Sequence, residues 1–338
     1  MKILITGGLG YIGSHVTVEL LKKNHQVLII DNLSNSDFSV LNQIKKITKI
    51  TPDFEKVDLV NRNDTSSFFN RHKDIDSVIH FAALKSVNES VQFPLKYYEN
   101  NVLGTINLLE FMPNGIPFVF SSSCTVYGNS DVQPMSEYLP FKNPSSPYGH
   151  TKQICEQIIN AQFKIELKFK GISLRYFNPI GAHTSGLIGE NPKNNPENIL
   201  PYLTQVVNGK QDFLTVYGND YPTKDGSCIR DYIHIMDLTE ALCKAIEYLK
   251  DLQTNKYLES INIGTGRGVS VFELISEFEK ITGKIVEFEV GNRRSGDVVI
   301  AYADNKKAKK ILGWKSNYSL SEALKSAWDW EKIRNVYN

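Results

Sequence analysis

The chain alternates short β-branched runs with amphipathic stretches. Residues 2–6 (KILIT), 26–31 (QVLIID), 76–82 (DSVIHFA), 116–123 (IPFVFSSS) and 171–177 (GISLRYF) are short, continuous and rich in Ile, Val and Phe, and each predicts a strand. Between the first two, Ile12, Val16 and Leu20 recur at i, i+4 and i+8, which predicts a helix with one apolar stripe. Val102, Ile106 and Leu109 predict another in the same way. Alternation of this kind gives an α/β fold, a parallel sheet with helices on both faces.

After about residue 180 the pattern loosens. GAHTSGLIGENPKNNPEN reads as a long loop, and loops of that length are more often functional than idle. Helices are expected at 237–250, 270–282 and 320–332, with strands at 260–263 and 285–290. A chain of 338 residues is long for one core. The division expected is 1–178 and a smaller C-terminal α/β lobe, 179–338, with the chain free to cross between them.

Lys plus Arg number 38 against 37 for Asp plus Glu, so no global field recruits nucleic acid or a membrane. The basic run Lys306–Lys310 reads as a solvated helix face, with Ala308, Ile311 and Leu312 turned inward. Cys124, Cys155, Cys228 and Cys243 are scattered, without metal-ligand spacing, as suits free thiols in a reducing compartment. The first apolar run, Ile3–Ile5, is too short for a secretory leader, so a cytoplasmic location is expected.

ITGGLGYIGSH follows the first strand and opens the first helix. Gly8, Gly10 and Gly13 fit one glycine spacing of dinucleotide-binding loops, and Gly7, Gly10 and Gly13 another. Such a loop needs no Cβ where backbone meets pyrophosphate, and it aims helix amides at the anion. Asp31 ends the second strand, where a carboxylate accepts from ribose hydroxyls and repels a 2′-phosphate, so NAD is expected over NADP. The fold class that follows is a Rossmann-type doubly wound parallel sheet.

FSSSCTVYG ends the strand at 116–123, the end at which open parallel sheets bind ligands, although serines there could also merely turn the chain. Further on, PSSPYGHTK places Pro147 at a helix start, which would put Tyr148 at its mouth and Lys152 one turn deeper. Spacing alone leaves open an ordinary surface pair or a phenol lowered by an ammonium.

TGGLGYIGSH, DNLSNS, VIHFAALKSVNESV, SSSCTVYG, SPYGHTK, LRYFNPIGAH, GNDYPTKDG and RDYIH, in this order, resemble the extended short-chain dehydrogenase/reductases over essentially the whole chain, and closely their UDP-hexose 4-epimerase branch. The resemblance implies a catalytic set of Ser123, Tyr148 and Lys152. Tyr148 as phenolate would take the proton of a sugar 4-hydroxyl, and Ser123 would hydrogen-bond the reacting oxygen. Lys152 and the cationic nicotinamide would draw the phenol down from its ordinary value near 10. NAD would take the C4 hydride, return it to the other face of a transient 4-keto sugar, and so stay bound and be recycled. Family cofactor contacts map onto Tyr11, Ile12, Asp31, Asn32, Asp58, Leu59, Phe81, Ala82, Lys85, Asn100 and Phe177 beside the glycines. Those to the UDP-sugar map onto Asn178, Asn198, Thr215, Val216, Tyr217, Arg230, Arg294, Asp297 and Ala301.

The same resemblance implies UDP-galactose and UDP-glucose as substrate and product. Related 4,6-dehydratases carry Asp-Glu where this chain has Cys124 and Thr125, which disfavours dehydration. Some relatives carry tyrosine at the position of Ala301, which bars N-acetyl sugars, so UDP-N-acetylhexoses are expected to fit too, unless Tyr302 swings in. Another nucleotide-sugar epimerase, for example of UDP-uronic acids, is the alternative, and a non-catalytic NAD-sensing regulator a more distant one. Relatives imply a homodimer through YYENNVLGTINLLEFM and YGHTKQICEQIINAQF.

Overall fold

A computed structural model describes residues 1–193, 196–294 and 297–337. The amino-terminal half alternates strand and helix: β1 (Lys2–Thr6), α1 (Tyr11–Lys22), β2 (Gln26–Asp31), α2 (Val40–Thr48), β3 (Asp53–Lys56), α3 (Arg62–Arg71) and β4 (Ser77–His80). Then follow α4 (Val87–Gln92), α5 (Pro94–Tyr97), α6 (Gly104–Phe111), β5 (Pro117–Ser123), α7 (Pro147–Ile165) and β6 (Phe169–Tyr176). These strands and Lys256–Ile263 form a seven-stranded sheet in the order Lys256–Ile263, β6, β5, β4, β1, β2, β3. β1 runs parallel to β2 and β4, with Leu4 opposite both Leu28 and Val78. β3 continues from β2, and β5 from β4, also in parallel. The order reverses between β1 and β4, and a crevice opens beyond the carboxyl ends of strands at such a point.

Burial on both faces explains the continuous apolar runs: Ile3, Leu4 and Ile5 are wholly enclosed. Leu4, Leu28, Val78, Phe118 and Phe120 pack with Phe68, Phe69 and Leu108 in one cluster. Each such side chain stabilises the fold by roughly 1.5–3 kcal/mol. β3 escaped the sequence pattern because DFEK, at the sheet edge, is only partly covered.

On α1, Val16 and Leu20 are buried as the stripe requires, and Ile12 is half-buried. The second stripe needs correction. Tyr98–Leu103 forms a turn of π-helix and α6 starts only at Gly104. The wider turn shifts the phase, so that Leu108 and Leu109 face inward while Ile106 is 38% exposed.

The chain divides into two compact units of three segments each. The first comprises Met1–Gly128, Phe141–Arg175 and Thr239–Ile261, and the second Asn129–Pro140, Tyr176–Leu238 and Asn262–Asn338. In the second unit Asn178–Ile180 pairs with Tyr232–His234, and Leu214–Tyr217 with Phe288–Gly291, both in parallel. Ile229–Arg230 lies between Val269–Ser270 and Ile300–Ala301. The helix Val271–Thr282 opens on a capping box, with Ser270 and Glu273 satisfying each other's amides. In Lys306–Leu312 the lysines at 306, 309 and 310 are exposed while Ala308 and Leu312 are buried. The expected helices appear at Ile235–Asp251, Val271–Thr282 and Leu320–Tyr337. Residues 181–198 are largely loop, with an isolated bridge from Ala182 to Gly189; Asn194 and Asn195 lie outside the described residues.

Candidate active site

The glycine loop is built for a close backbone approach. Gly7 is left-handed (φ 68°), and its amide donates to Ile30 O at 2.8 Å. A Cβ on Gly7 would sit 2.8 Å from the Ala82 nitrogen, and one on Gly13 2.4 Å from the Gly7 oxygen. Gly10 opens α1 and, as a glycine, brings no capping side chain to the positive end of the helix. A pyrophosphate fits such a cradle. Asp31 is buried and accepts from Leu9 N at 3.2 Å, Leu33 N at 2.9 Å and Ser36 Oγ at 2.7 Å, so the carboxylate at the end of β2 also holds the glycine loop.

The other expected cofactor residues of the first unit follow the ends of parallel strands. Asn32 follows β2 and accepts from Ser34 N. Asp58 and Leu59 follow β3; Asp58 accepts from Val60 N at 3.0 Å and the Leu59 carbonyl from Asn107 at 2.8 Å. Phe81 and Ala82 follow β4, their amides donating to the Thr6 carbonyl and hydroxyl. Lys85 is exposed beyond them, and Asn100 lies in the π turn, donating to Asn101. Phe177 belongs to the second unit, where it is buried and donates to Ile263 O.

Ser123 is the last residue of β5. α7 starts at Pro147 behind Ser146, whose hydroxyl accepts from Gly149 N at 3.1 Å. Tyr148 therefore stands at the helix mouth and Lys152 one turn on, as the spacing predicts. Ser123 Oγ accepts from Thr125 N at 3.2 Å. Lys152 is 3% exposed, donates to Ser121 O at 2.7 Å, and lies 4.9 Å from the Phe120 ring centroid and 5.9 Å from that of Tyr148.

Enclosure sets the proton affinities. Although Tyr148 as a whole is only half-buried, burial pushes its phenol up to about 12, against the opposing pull of Ser123. Burial brings the Lys152 ammonium down to about 8, with Cys155 and Glu156 opposing. The site thus sets a neutral phenol beside a lysine that is mostly charged at neutral pH. His80, under the sheet end, is pushed down to about 3 by burial and so is neutral, its ring bridging the Thr6 and Thr105 hydroxyls at 2.7 and 3.1 Å.

Several side chains that hold this site escaped the sequence reading. Gln153 donates to Val126 O and Lys142 O, both at 2.8 Å, fixing the turn after β5. Glu156 binds Ser122 and pairs with Arg175. The signal available was position: Tyr148, Lys152 and Glu156 recur every four residues and share a helix face.

In the second unit Arg230 and Arg294 converge on one carboxylate. Asp297 Oδ1 lies 3.2 Å from Arg230 Nη2 and 2.9 Å from Arg294 Nη2. Arg294 also lies 5.4 Å from the ring centroid of Tyr217, which with Thr215 and the buried Val216 belongs to the strand Leu214–Tyr217. Ala301 is buried and pairs in register with Arg230. Two guanidiniums on one carboxylate leave a net positive charge, suited to a diphosphate. Asn178 stands apart in its own strand, its amide on Asp231 O, and the exposed Asn198 donates to Glu190 at 2.6 Å.

A family model described as GDP-mannose 4,6 dehydratase matches residues 4–327. The chain is 46% identical to the UDP-glucose 4-epimerase of Bacillus subtilis (strain 168), over 98% of this chain and 97% of that protein. It matches the solved UDP-glucose-4-epimerase of Stenotrophomonas maltophila, with bound NAD and formylated UDP-arabinopyranose, at TM-score 0.94 and 43% identity over 100% of both chains. The UDP-glucose 4-epimerase of Bifidobacterium longum, in complex with NAD+ and UDP, matches at TM-score 0.94 and 37% identity over 99% of both. With a glycine cradle after β1, Ser123 at the end of β5, Tyr148 and Lys152 one turn apart on α7, and Cys124-Thr125 in place of paired acids, the chain belongs to the extended short-chain dehydrogenase/reductases, in their UDP-glucose 4-epimerase branch.

Proposed function

We propose that the protein interconverts UDP-galactose and UDP-glucose, with NAD as a retained cofactor, through a transient 4-keto sugar. The observation that carries this is Tyr148 at the mouth of α7 with the buried Lys152 one helical turn on, its ammonium 5.9 Å from the phenol ring centroid and tied to the strand that ends in Ser123, in the same unit as the glycine cradle and Asp31. Bound NAD supplies reversible acceptance of the C4 hydride. Tyr148 exchanges the 4-hydroxyl proton, Ser123 donates to the reacting oxygen, and Lys152 stabilises the phenolate. Gly7, Gly10, Gly13, Tyr11 and Ile12 receive the pyrophosphate, and Asp31 and Asn32 the adenine-side ribose. Asp58, Leu59, Phe81, Ala82, Lys85, Asn100 and Phe177 complete the cofactor contacts. Asn178, Asn198, Thr215, Val216 and Tyr217 hold the nucleotide, Arg230 and Arg294 the diphosphate, and Asp297 the uridine ribose. On this reading the first unit carries the chemistry and the second the UDP.

Ala301 favours a wider substrate range. The Tyr302 ring edge lies near Gly268, where a Cβ would sit 3.4 Å from it, a seat that supports open space beside Ala301. UDP-N-acetylgalactosamine is then also a substrate. Ala301→Tyr should lose that activity while retaining UDP-galactose turnover; an unchanged preference would refute it.

The chain pairs with a second copy through the π turn, α6 and α7, which supplies a cover for exposed Leu103 and Ile106. Ile106→Glu should then halve the mass seen by light scattering. Four free cysteines support a reducing, cytoplasmic setting.

The function is tested by incubating purified protein with UDP-galactose and no added NAD, then separating the nucleotide sugars. UDP-glucose should appear. No conversion by protein shown to carry NAD would redirect the search to acidic or N-acetylated UDP-sugars.

A further inference from the structure

Lys152 and Glu156, one turn apart on α7, grip successive residues of β5: Lys152 the carbonyl of Ser121, and Glu156 Oε1 the hydroxyl of Ser122. Ser123 comes next. Glu156 is in turn clamped by Arg175 of β6, Nε to Oε1 at 2.9 Å and Nη2 to Oε2 at 2.6 Å, with Ser260 Oγ on Oε2 at 3.2 Å. The guanidinium lies 5.1 Å from the Tyr127 ring centroid and 5.2 Å from that of Phe141. Both charged side chains are 6% exposed.

The proposed chemistry uses neither residue. Burying such a pair is seldom the most stable use of the space, and apolar side chains of the same volume often serve as well. What the pair does here is join three elements behind the reacting groups: α7 with Tyr148, β5 with Ser123, and β6. It also leaves no net charge one turn from Lys152.

We propose that Glu156 and Arg175 are positioning residues, a buried charge-neutral brace that holds Ser123 in register with Tyr148 and Lys152 and keeps the field at the phenol balanced. This rests on the catalytic reading of Ser123, Tyr148 and Lys152. The titratable groups facing Tyr148 and Lys152 are Cys124 after β5, His80 on β4, and Cys155 and Glu156 on α7, with Arg175 behind Glu156. His80 is neutral and burial raises Cys155, so beside Tyr148 and Lys152 themselves the charges facing the site are those of the brace.

The test compares Glu156→Gln, Arg175→Met and the double variant in the NAD-loaded enzyme, reading kcat for UDP-galactose against pH. Arg175→Met leaves Glu156 ionised beside Lys152 and should move the rising limb to higher pH by about one unit. Glu156→Gln leaves an uncompensated cation and should move it to lower pH by a similar amount. The double variant should return the limb to its original position, with kcat reduced three- to tenfold and KM little changed. Limbs that stay put in all three variants would overturn the proposal. Should a single variant not fold, Ser122→Ala separates the outcomes, since it cuts the tie without changing charge. A three- to tenfold loss of kcat at unchanged KM and pH profile supports the brace, and full activity overturns it. Tyr148→Phe is the control: if that variant stayed active, the catalytic reading would be at fault rather than the brace.

Discussion

Lys152 Nζ donates at 2.7 Å to the carbonyl of Ser121, two residues before Ser123, so the lysine is tied to the strand that ends in Ser123. The ammonium is thereby held near the Tyr148 ring, at 5.9 Å from its centroid. A cation there favours the phenolate against the burial that pushes the phenol up, and its loss removes that help. Lys152→Met should shift the rising limb of kcat against pH upward by about one to two units and lower kcat at pH 7 by about 10²–10³-fold. A profile with the original limb and a smaller plateau would mean that the lysine acts by something other than its charge.

The loop glycines are not equivalent. A Cβ on Gly13 would lie 2.4 Å from Gly7 O and 2.7 Å from Gly8 Cα, both backbone. On Gly10 the nearest atom would be Gly7 O at 3.2 Å, and φ there is an ordinary −72°. Gly13→Ala must displace the loop, at a cost of about 1–3 kcal/mol or more. It should be purified without NAD. Gly10→Ala should retain NAD with weakened affinity. Absorbance of cofactor released from each denatured variant decides the matter, and equal retention would show that the loop gives way.

Arg230 and Arg294 share Asp297. A lysine at 230 keeps the charge but not the planar fork that matches phosphate oxygens. Arg230→Lys should therefore weaken UDP binding about tenfold, equivalent to about 1.4 kcal/mol, with kcat nearly unchanged. Calorimetric titration with UDP measures this directly. Undiminished affinity would assign the diphosphate to other donors.

The central sheet was legible because its strands are buried on both faces and so stand out as apolar runs. β3 was not, since an edge strand such as DFEK has no such requirement. Val102, Ile106 and Leu109 implied regular helix, and a π turn, which no periodicity announces, rotated Ile106 outward. The placement of Tyr148 and Lys152 one turn apart was legible from Pro147 and the spacing, because one helix positions both, while spacing alone left their role open. The brace was hidden because Glu156 and Arg175 lie 19 residues apart on different elements, and pairing of that kind is decided by the sheet order. His80 looked like one more residue of a strand until its bonds to Thr6 and Thr105 were seen.

Two buried histidines make the fold sensitive to acid. Burial pushes His80 down to about 3 and His234 to about 4, where Glu322 opposes the shift. In the unfolded chain each titrates near 6.5, so below that pH the unfolded state binds protons that the native state refuses. Stability therefore rises with pH across this window. The contribution is complete above about 6.5 and is lost progressively as pH falls toward the native values. Each histidine steepens the loss by up to about 1.4 kcal/mol per pH unit, or about 2 kcal/mol between pH 6.5 and 5. His80→Gln retains a polar group for Thr6 and Thr105 but does not titrate. It should be less stable than the parent at pH 7.5 and should lose less on going to pH 5. Urea midpoints at the two pH values for parent and variant give the comparison, with carboxylate contributions common to both cancelling in the difference. Parallel losses would mean that His80 opens to solvent and charges before the fold is lost.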